Sequence, residues 1–271
     1  MKKLLLAVLL LAAVTLCIVS CGDGRVTTAE TTTTKEGNDV TTTDITTTVT
    51  TTAEVTTTAA ITTEPLEYPI EGKTYIFLGS SVTYGSASGG YSFADALRDE
   101  YNCRVYKFAV SGTTLVDNGE SSYVQRMQKI YKNLKADHFI VQLSTNDASQ
   151  GKPMGKITGN DVRDLDAFDT TTVLGAIEYI ICYAQQTWGC HVSFYTGTKY
   201  DSAQYRVMVN KLYQIQEKWG IGIIDLWNDE EMNAVSAEDY AKYMSDPIHP
   251  NRTGYIEWWT PKFAEHLKKY K

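Results

Sequence analysis

Residues 65–271 are expected to form one α/β domain, a three-layer α/β/α sandwich on a five-stranded parallel sheet. Three observations predict it. Short apolar runs alternate with longer helical stretches, the order that gives parallel strands joined by right-handed crossovers. The runs YIFLG, FIVQL and GIIDL are apolar almost throughout, as strands covered on both faces are. About 206 residues suffice for one full core.

The elements follow in order. A strand is expected over 73–80, ending in Gly79-Ser80-Ser81, and a helix over 91–101. Strand 103–110 and helix 123–136 come next, then strand 138–144 and a long helix over 170–188. Strand 191–196, helix 202–219 and strand 221–226 complete the sheet. Two last helices lie near 237–244 and over 254–270, where Pro261 kinks or splits the second.

The remainder of the chain has a different character. Residues 1–21, MKKLLLAVLLLAAVTLCIVSC, carry two lysines, a long apolar run and then small residues, the order of a secretory signal. Ile18-Val19-Ser20-Cys21 resembles a bacterial lipobox, which implies acylation of Cys21 and a membrane anchor there. Loss of Lys2 and Lys3 on cleavage takes the net charge from −7 to −9. Residues 22–64 read as a disordered linker. Between 27 and 63, 20 of 37 residues are threonine and none is aromatic, too little apolar surface to offset the entropy of ordering. This stretch is expected to hold the folded head away from a membrane, outside the cytoplasm.

Composition excludes some functions. A net charge of −7 argues against a nucleic-acid binder, which needs a basic face. With Cys21 acylated, Cys103, Cys182 and Cys190 remain, an odd number that does not describe a disulfide framework; free buried thiols are expected, and spacing alone leaves a Cys182–Cys190 bridge open. No His/Cys cluster has zinc spacing, so no metal or other cofactor is expected.

In a parallel α/β sheet, ligands bind beyond the carboxyl ends of the strands. Gly79-Ser80-Ser81 follows the first strand, Ser111-Gly112-Thr113 the second, and Ser144-Thr145-Asn146-Asp147 the third. Asp246-Pro247-Ile248-His249-Pro250 lies on a late loop. A serine hydroxyl is a weak nucleophile that needs a base, a histidine can serve near neutral pH, and a carboxylate three residues away can orient that histidine.

Those four clusters, in that order across the whole head, resemble the SGNH (GDSL-type) hydrolase family. The resemblance implies the flavodoxin-like SGNH hydrolase fold. It makes Ser81 the nucleophile, His249 the base and Asp246 its partner. The backbone N–H groups of Ser81 and Gly112 and the Asn146 side chain become the oxyanion donors. Gly112 suits its place because a side chain there could block the substrate. Two positions depart from the family pattern: Ser80 stands for the usual Asp and Ser144 for the usual Gly. The Val-Thr-x-Gly that follows Ser81 sets the register.

The long polar segment between Asp147 and Asp169 is expected to wall the substrate cleft, with Lys152 and Asp169 as its candidate binding residues. His138 and His191 open strands, and His266 is placed on the polar side of the last helix. Trp227, Trp258 and Trp259 are read as core before a sugar platform. The function expected is an extracytoplasmic serine esterase acting on an ester, first an O-acetyl group on a polysaccharide. A lipase-like acyl esterase, an acyltransferase and a non-catalytic glycan-binding surface protein are the alternatives.

Overall fold

The computed structural model describes residues 66–271. The expected signal peptide, Cys21 acylation and linker lie outside the described residues. No helix among the described residues is long and apolar enough to cross a membrane.

Five parallel strands form one sheet: β1 (Thr74–Gly79), β2 (Arg104–Ala109), β3 (His138–Gln142), β4 (His191–Tyr195) and β5 (Gly222–Ile224), in the order β2-β1-β3-β4-β5. The order reverses at β1, so the crevice above its carboxyl end is where this topology opens for a ligand. β1 is buried along its whole length, whereas β2, at the edge, is largely half-exposed.

Side chains alternate across the strands and divide the core in two. Ile76, Leu78, Phe139, Val141, Val192 and Phe194 face α3 (Tyr123–Gln128), α5 (Val173–Trp188) and α6 (Ala203–Trp219). Tyr75, Phe77, Ile140 and Tyr195 face the opposite way, against α2 (Phe93–Tyr101) and the C-terminal helix. These two clusters are the outer interfaces of the sandwich. Ser92, Thr172 and Ser202 cap α2, α5 and α6 through their hydroxyl groups, which fixes where each helix starts.

Two expectations change, the extent of the helix over 123–136 and the place of His266. The helix over 123–136 stops at Gln128, because Lys129 and Ile130 bond three residues back and tighten the chain out of the α register. The last helix is split, as Pro261 implies. A π-helical turn spans Gly254–Trp259, where the Thr260 N–H and hydroxyl both reach the Tyr255 carbonyl. The C-terminal helix (Thr260–Leu267) then starts with Pro261, whose missing N–H would go unused there. Trp227 and Trp259 are core residues, while Trp258 is half-buried and stacks on Tyr243. Cys103, Cys182 and Cys190 are free thiols, and Cys190 is only half-buried.

His266 is also not on a polar side. It is buried, and its Nε2 lies 2.9 Å from the Ser193 hydroxyl, which is 2.8 Å from His138 Nε2. The single O–H can donate to only one of the two rings. Burial pushes both imidazoles down, His266 to about 4 with the Lys269 charge adding to the effect, and His138 well below its ordinary value, helped by His266 and His191. The unfolded chain therefore takes up protons below its ordinary histidine value of 6.5 before the native state does. Stability from this cluster is complete above that value and is lost as pH falls towards 4, by about 3 kcal/mol for His266 alone. Urea midpoints at pH 7 and pH 4.5 should differ less for His266→Gln than for the parent. Equal differences would refute the assignment.

Candidate active site

β1 ends at Gly79 because nothing larger fits. A Cβ there would lie 1.8 Å from Thr83 Oγ1 and 2.8 Å from Gln142 Oε1. The chain then turns at once into a one-turn helix, α1 (Ser81–Tyr84), closed by Gly85 at φ +85°. Ser81 thus stands at the top of the central strand.

The sequence element that meets it arrives 168 residues later. After α8 (Ala237–Tyr243) the chain makes a tight loop through Asp246 and His249. The Asp246 carboxylate accepts the backbone N–H groups of Ile248 and His249, at 2.7 and 2.8 Å, so the turn is built around the acid itself. The same carboxylate lies 2.7 Å from His249 Nδ1, and His249 Nε2 lies 2.8 Å from Ser81 Oγ. Facing a carboxylate, Nδ1 must carry the ring proton. Nε2 is then left to accept from the serine hydroxyl. Burial alone would raise the Asp246 carboxyl, but the two backbone N–H groups and the imidazole together hold it below the usual carboxylate range. The loop is fastened to α1 by Tyr255, whose buried hydroxyl donates to the Val82 carbonyl at 2.8 Å.

Gly112 sits in the left-handed region at φ +78°, and a Cβ there would meet no protein atom within 4 Å. Its reason is therefore backbone conformation rather than crowding by neighbouring protein groups. Asn146, in α4 (Thr145–Ser149), gives one amide N–H to the Thr113 carbonyl at 2.9 Å, which leaves its second free. Next to it, the buried Asp147 carboxylate accepts from Leu115 N and Val116 N at 2.7 and 3.1 Å. Burial pushes that carboxyl up, and hydrogen bonds from Ser144, Leu115 and Val116 oppose it, as does the Lys152 charge. Asn146 and Asp147 together clamp the loop that carries Gly112.

Two residues complete the support under Ser81. Gln142, the last residue of β3, offers its side-chain oxygen to Ser80 N at 2.8 Å and to Thr83 Oγ1 at 2.9 Å. The Ser80 hydroxyl reaches the same oxygen at 3.2 Å. Where the family pattern has an aspartate, this chain has a buried serine tied to Gln142. The only trace of Gln142 in the sequence is one polar residue after the apolar run Phe139-Ile140-Val141.

Lys152 and Asp169 stay outside the hydrogen-bonded set. The Lys152 carbonyl accepts from Gln204, and the exposed Asp169 carboxylate closes a local turn with Thr171 ahead of α5. Among the described residues, no cluster of His, Cys, Asp and Glu is arranged to hold a metal ion.

Residues 77–255 match the model of the GDSL-like lipase/acylhydrolase family. No curated protein matches the chain. A solved protein from Lactobacillus plantarum is 21% identical with a TM-score of 0.57, over 73% of this chain and 95% of that one. A family two carbohydrate esterase from Clostridium thermocellum, solved in complex with cellohexaose, is 12% identical with a TM-score of 0.51, over 74% of this chain and 65% of that one. A carbohydrate esterase family 2 enzyme from Corynascus thermopiles is 14% identical with a TM-score of 0.51, over 74% and 67%. At such identities the likeness is one of fold. The family match runs from the end of the strand that leads to Ser81 through the Gly112 turn and the Asn146 helix to the His249 loop, and the chain belongs to the GDSL-like lipase/acylhydrolase family.

Proposed function

We propose that this chain is a serine esterase that works outside the cytoplasm, anchored through Cys21, and that its substrate is an O-acetyl group on a polysaccharide. The hydrogen-bonded line from Ser81 through His249 to Asp246 carries the reading. Ser81 Oγ attacks the ester carbonyl carbon while its proton passes to His249 Nε2. The imidazolium that forms is stabilised by Asp246. The carbonyl oxygen becomes an anion facing the N–H groups of Ser81 and Gly112 and the free amide proton of Asn146, three fixed donors where charge develops. Collapse breaks the C–O bond to the alcohol, which leaves with the proton from Nε2. Water, activated by the same nitrogen, then attacks the acyl-serine and releases the acid. Lys152 and Asp169 are assigned to substrate binding only as part of the segment that walls the cleft.

Two features favour a glycan ester. The carbohydrate esterases similar in fold act on that class by name, and the threonine-rich segment suits a head displayed at a surface. Acetate release, followed by proton NMR on acetylated oligosaccharides and compared with long-chain p-nitrophenyl esters, tests the reading. Acetylated sugars should be the better substrates, and a serine-directed fluorophosphonate should label the protein. A preference for long acyl chains would remove the acetyl-glycan assignment. No turnover and no label would remove the esterase.

A further inference from the structure

We propose that Arg126 is a positioning residue of the oxyanion site: one guanidinium joins the Ser81 turn to the Gly112 turn and sets a fixed positive charge behind the anion formed between them. This rests on the serine esterase reading above. Arg126 lies in α3, on the layer beneath the site. Its Nη2 donates to the Gly79 carbonyl at 2.8 Å, two residues before the nucleophile, and to Thr113 Oγ1 at 3.1 Å, one residue after Gly112. Its Nη1 donates to the Phe108 carbonyl at 2.6 Å, on the strand that leads into the Gly112 turn. Nε is anchored on the Ser121 carbonyl at 2.8 Å. The Thr113 hydroxyl donates its own proton to the Val110 carbonyl at 2.7 Å, so its oxygen is free to accept from Arg126. The Thr113 carbonyl in turn receives Asn146. A single planar fork thus joins the Ser81 turn to the Gly112 turn, and the Thr113 it holds is the residue that receives Asn146.

The charge is unbalanced as well as well placed. Among the described residues no carboxylate lies within ion-pairing distance of Arg126. Burial lowers the guanidinium pKa, and the guanidinium lies 5.1 Å from the Tyr123 ring centroid. An arginine remains charged even so. A cation held by neutral carbonyl and hydroxyl dipoles gains its counter-charge only when the tetrahedral anion forms, and that difference between ground and transition state is what accelerates a reaction. Lysine could not replace it, since a point charge cannot bridge Gly79, Phe108 and Thr113 together. Arg126 also borders an open cavity of about 320 Å³ with Lys107, Phe108, Val110 and Lys129, which gives solvent a route to its side chain.

Steady-state kinetics on p-nitrophenyl acetate with Arg126→Met, Arg126→Lys and Arg126→Ala test the assignment. The Met variant should lose about 100-fold in kcat with KM changed by less than about threefold. Its affinity for phenylboronic acid, which forms a tetrahedral anion on a catalytic serine, should fall in step. Millimolar guanidinium should restore about tenfold to Arg126→Ala, which a purely structural loss would not allow. A folded Met variant with kcat within about threefold of the parent overturns the proposal, as does a kcat loss with unchanged boronate affinity. If the Met protein does not fold, Arg126→Lys carries the test: about tenfold lower kcat with weaker boronate binding is expected, and parental values for both overturn the proposal. Full turnover by Ser81→Ala would instead sink the esterase reading itself, whatever Arg126 does.

Discussion

Ser81→Ala is expected to lower kcat for an acetyl ester by about 10⁴-fold or more and to abolish fluorophosphonate labelling. Its unfolding free energy should change by less than about 0.5 kcal/mol. The two halves of that result come from the same geometry. Ser81 Oγ makes one side-chain hydrogen bond, to His249 Nε2, and lies at the start of a one-turn helix whose backbone bonds do not involve it. Removing the oxygen therefore takes away the nucleophile and little of the packing. His249→Ala should fall nearly as far, and the double variant hardly further, because the two groups act as one unit. A Ser81→Ala protein that keeps more than about a tenth of parental kcat would transfer the chemistry to another group.

The second large effect is on stability. Glu178 in α5 and Lys218 in α6 form an ion pair at 2.5 Å with side chains 0% and 2% exposed. Glu178 also accepts Trp219 Nε1 at 3.1 Å and Thr158 N at 2.8 Å, and Lys218 reaches the Thr158 hydroxyl at 2.6 Å. The pair therefore pins the segment between Asp147 and Asp169 to both helices. Glu178→Ala leaves an ammonium buried without its acid, and about 3–5 kcal/mol of unfolding free energy should be lost. Glu178→Leu with Lys218→Met should recover much of it, since no charge is then stranded. Urea denaturation of the three proteins decides the matter. A single-variant loss below about 1 kcal/mol would mean that water reaches the pair.

What could be read from the sequence, and what could not, follows the range of the interactions. The β strands were readable because β1 and β3 are apolar on both faces, a pattern that needs only neighbouring letters. The Asp246–His249 pair was readable because both residues belong to one turn. Asn146 and Gly112 stood out because each follows a strand. Gln142 and Arg126 did not, since their partners lie 62 and 47 residues away and neither residue type signals such a contact. His266 was misplaced for a related reason. Its helix has a polar side by periodicity, but Ser193 and His138, far apart in the chain, give the ring a buried hydrogen-bonded seat. Pro261 announced a break in the last helix, but the π register before it depends on where the Thr260 hydroxyl finds a carbonyl.

The loop that carries Asp246 and His249 closes on its own carboxylate and is fastened at its base by Asn251 to the last residues of the helix before it. With that helix, the proton relay is in that sense a detachable cassette. Insertions or exchanges between Trp227 and Ser236, ahead of that helix, would leave the acid and the base in register. In this lineage, preference for a new ester and the ability to cleave esters at all can evolve on separate clocks.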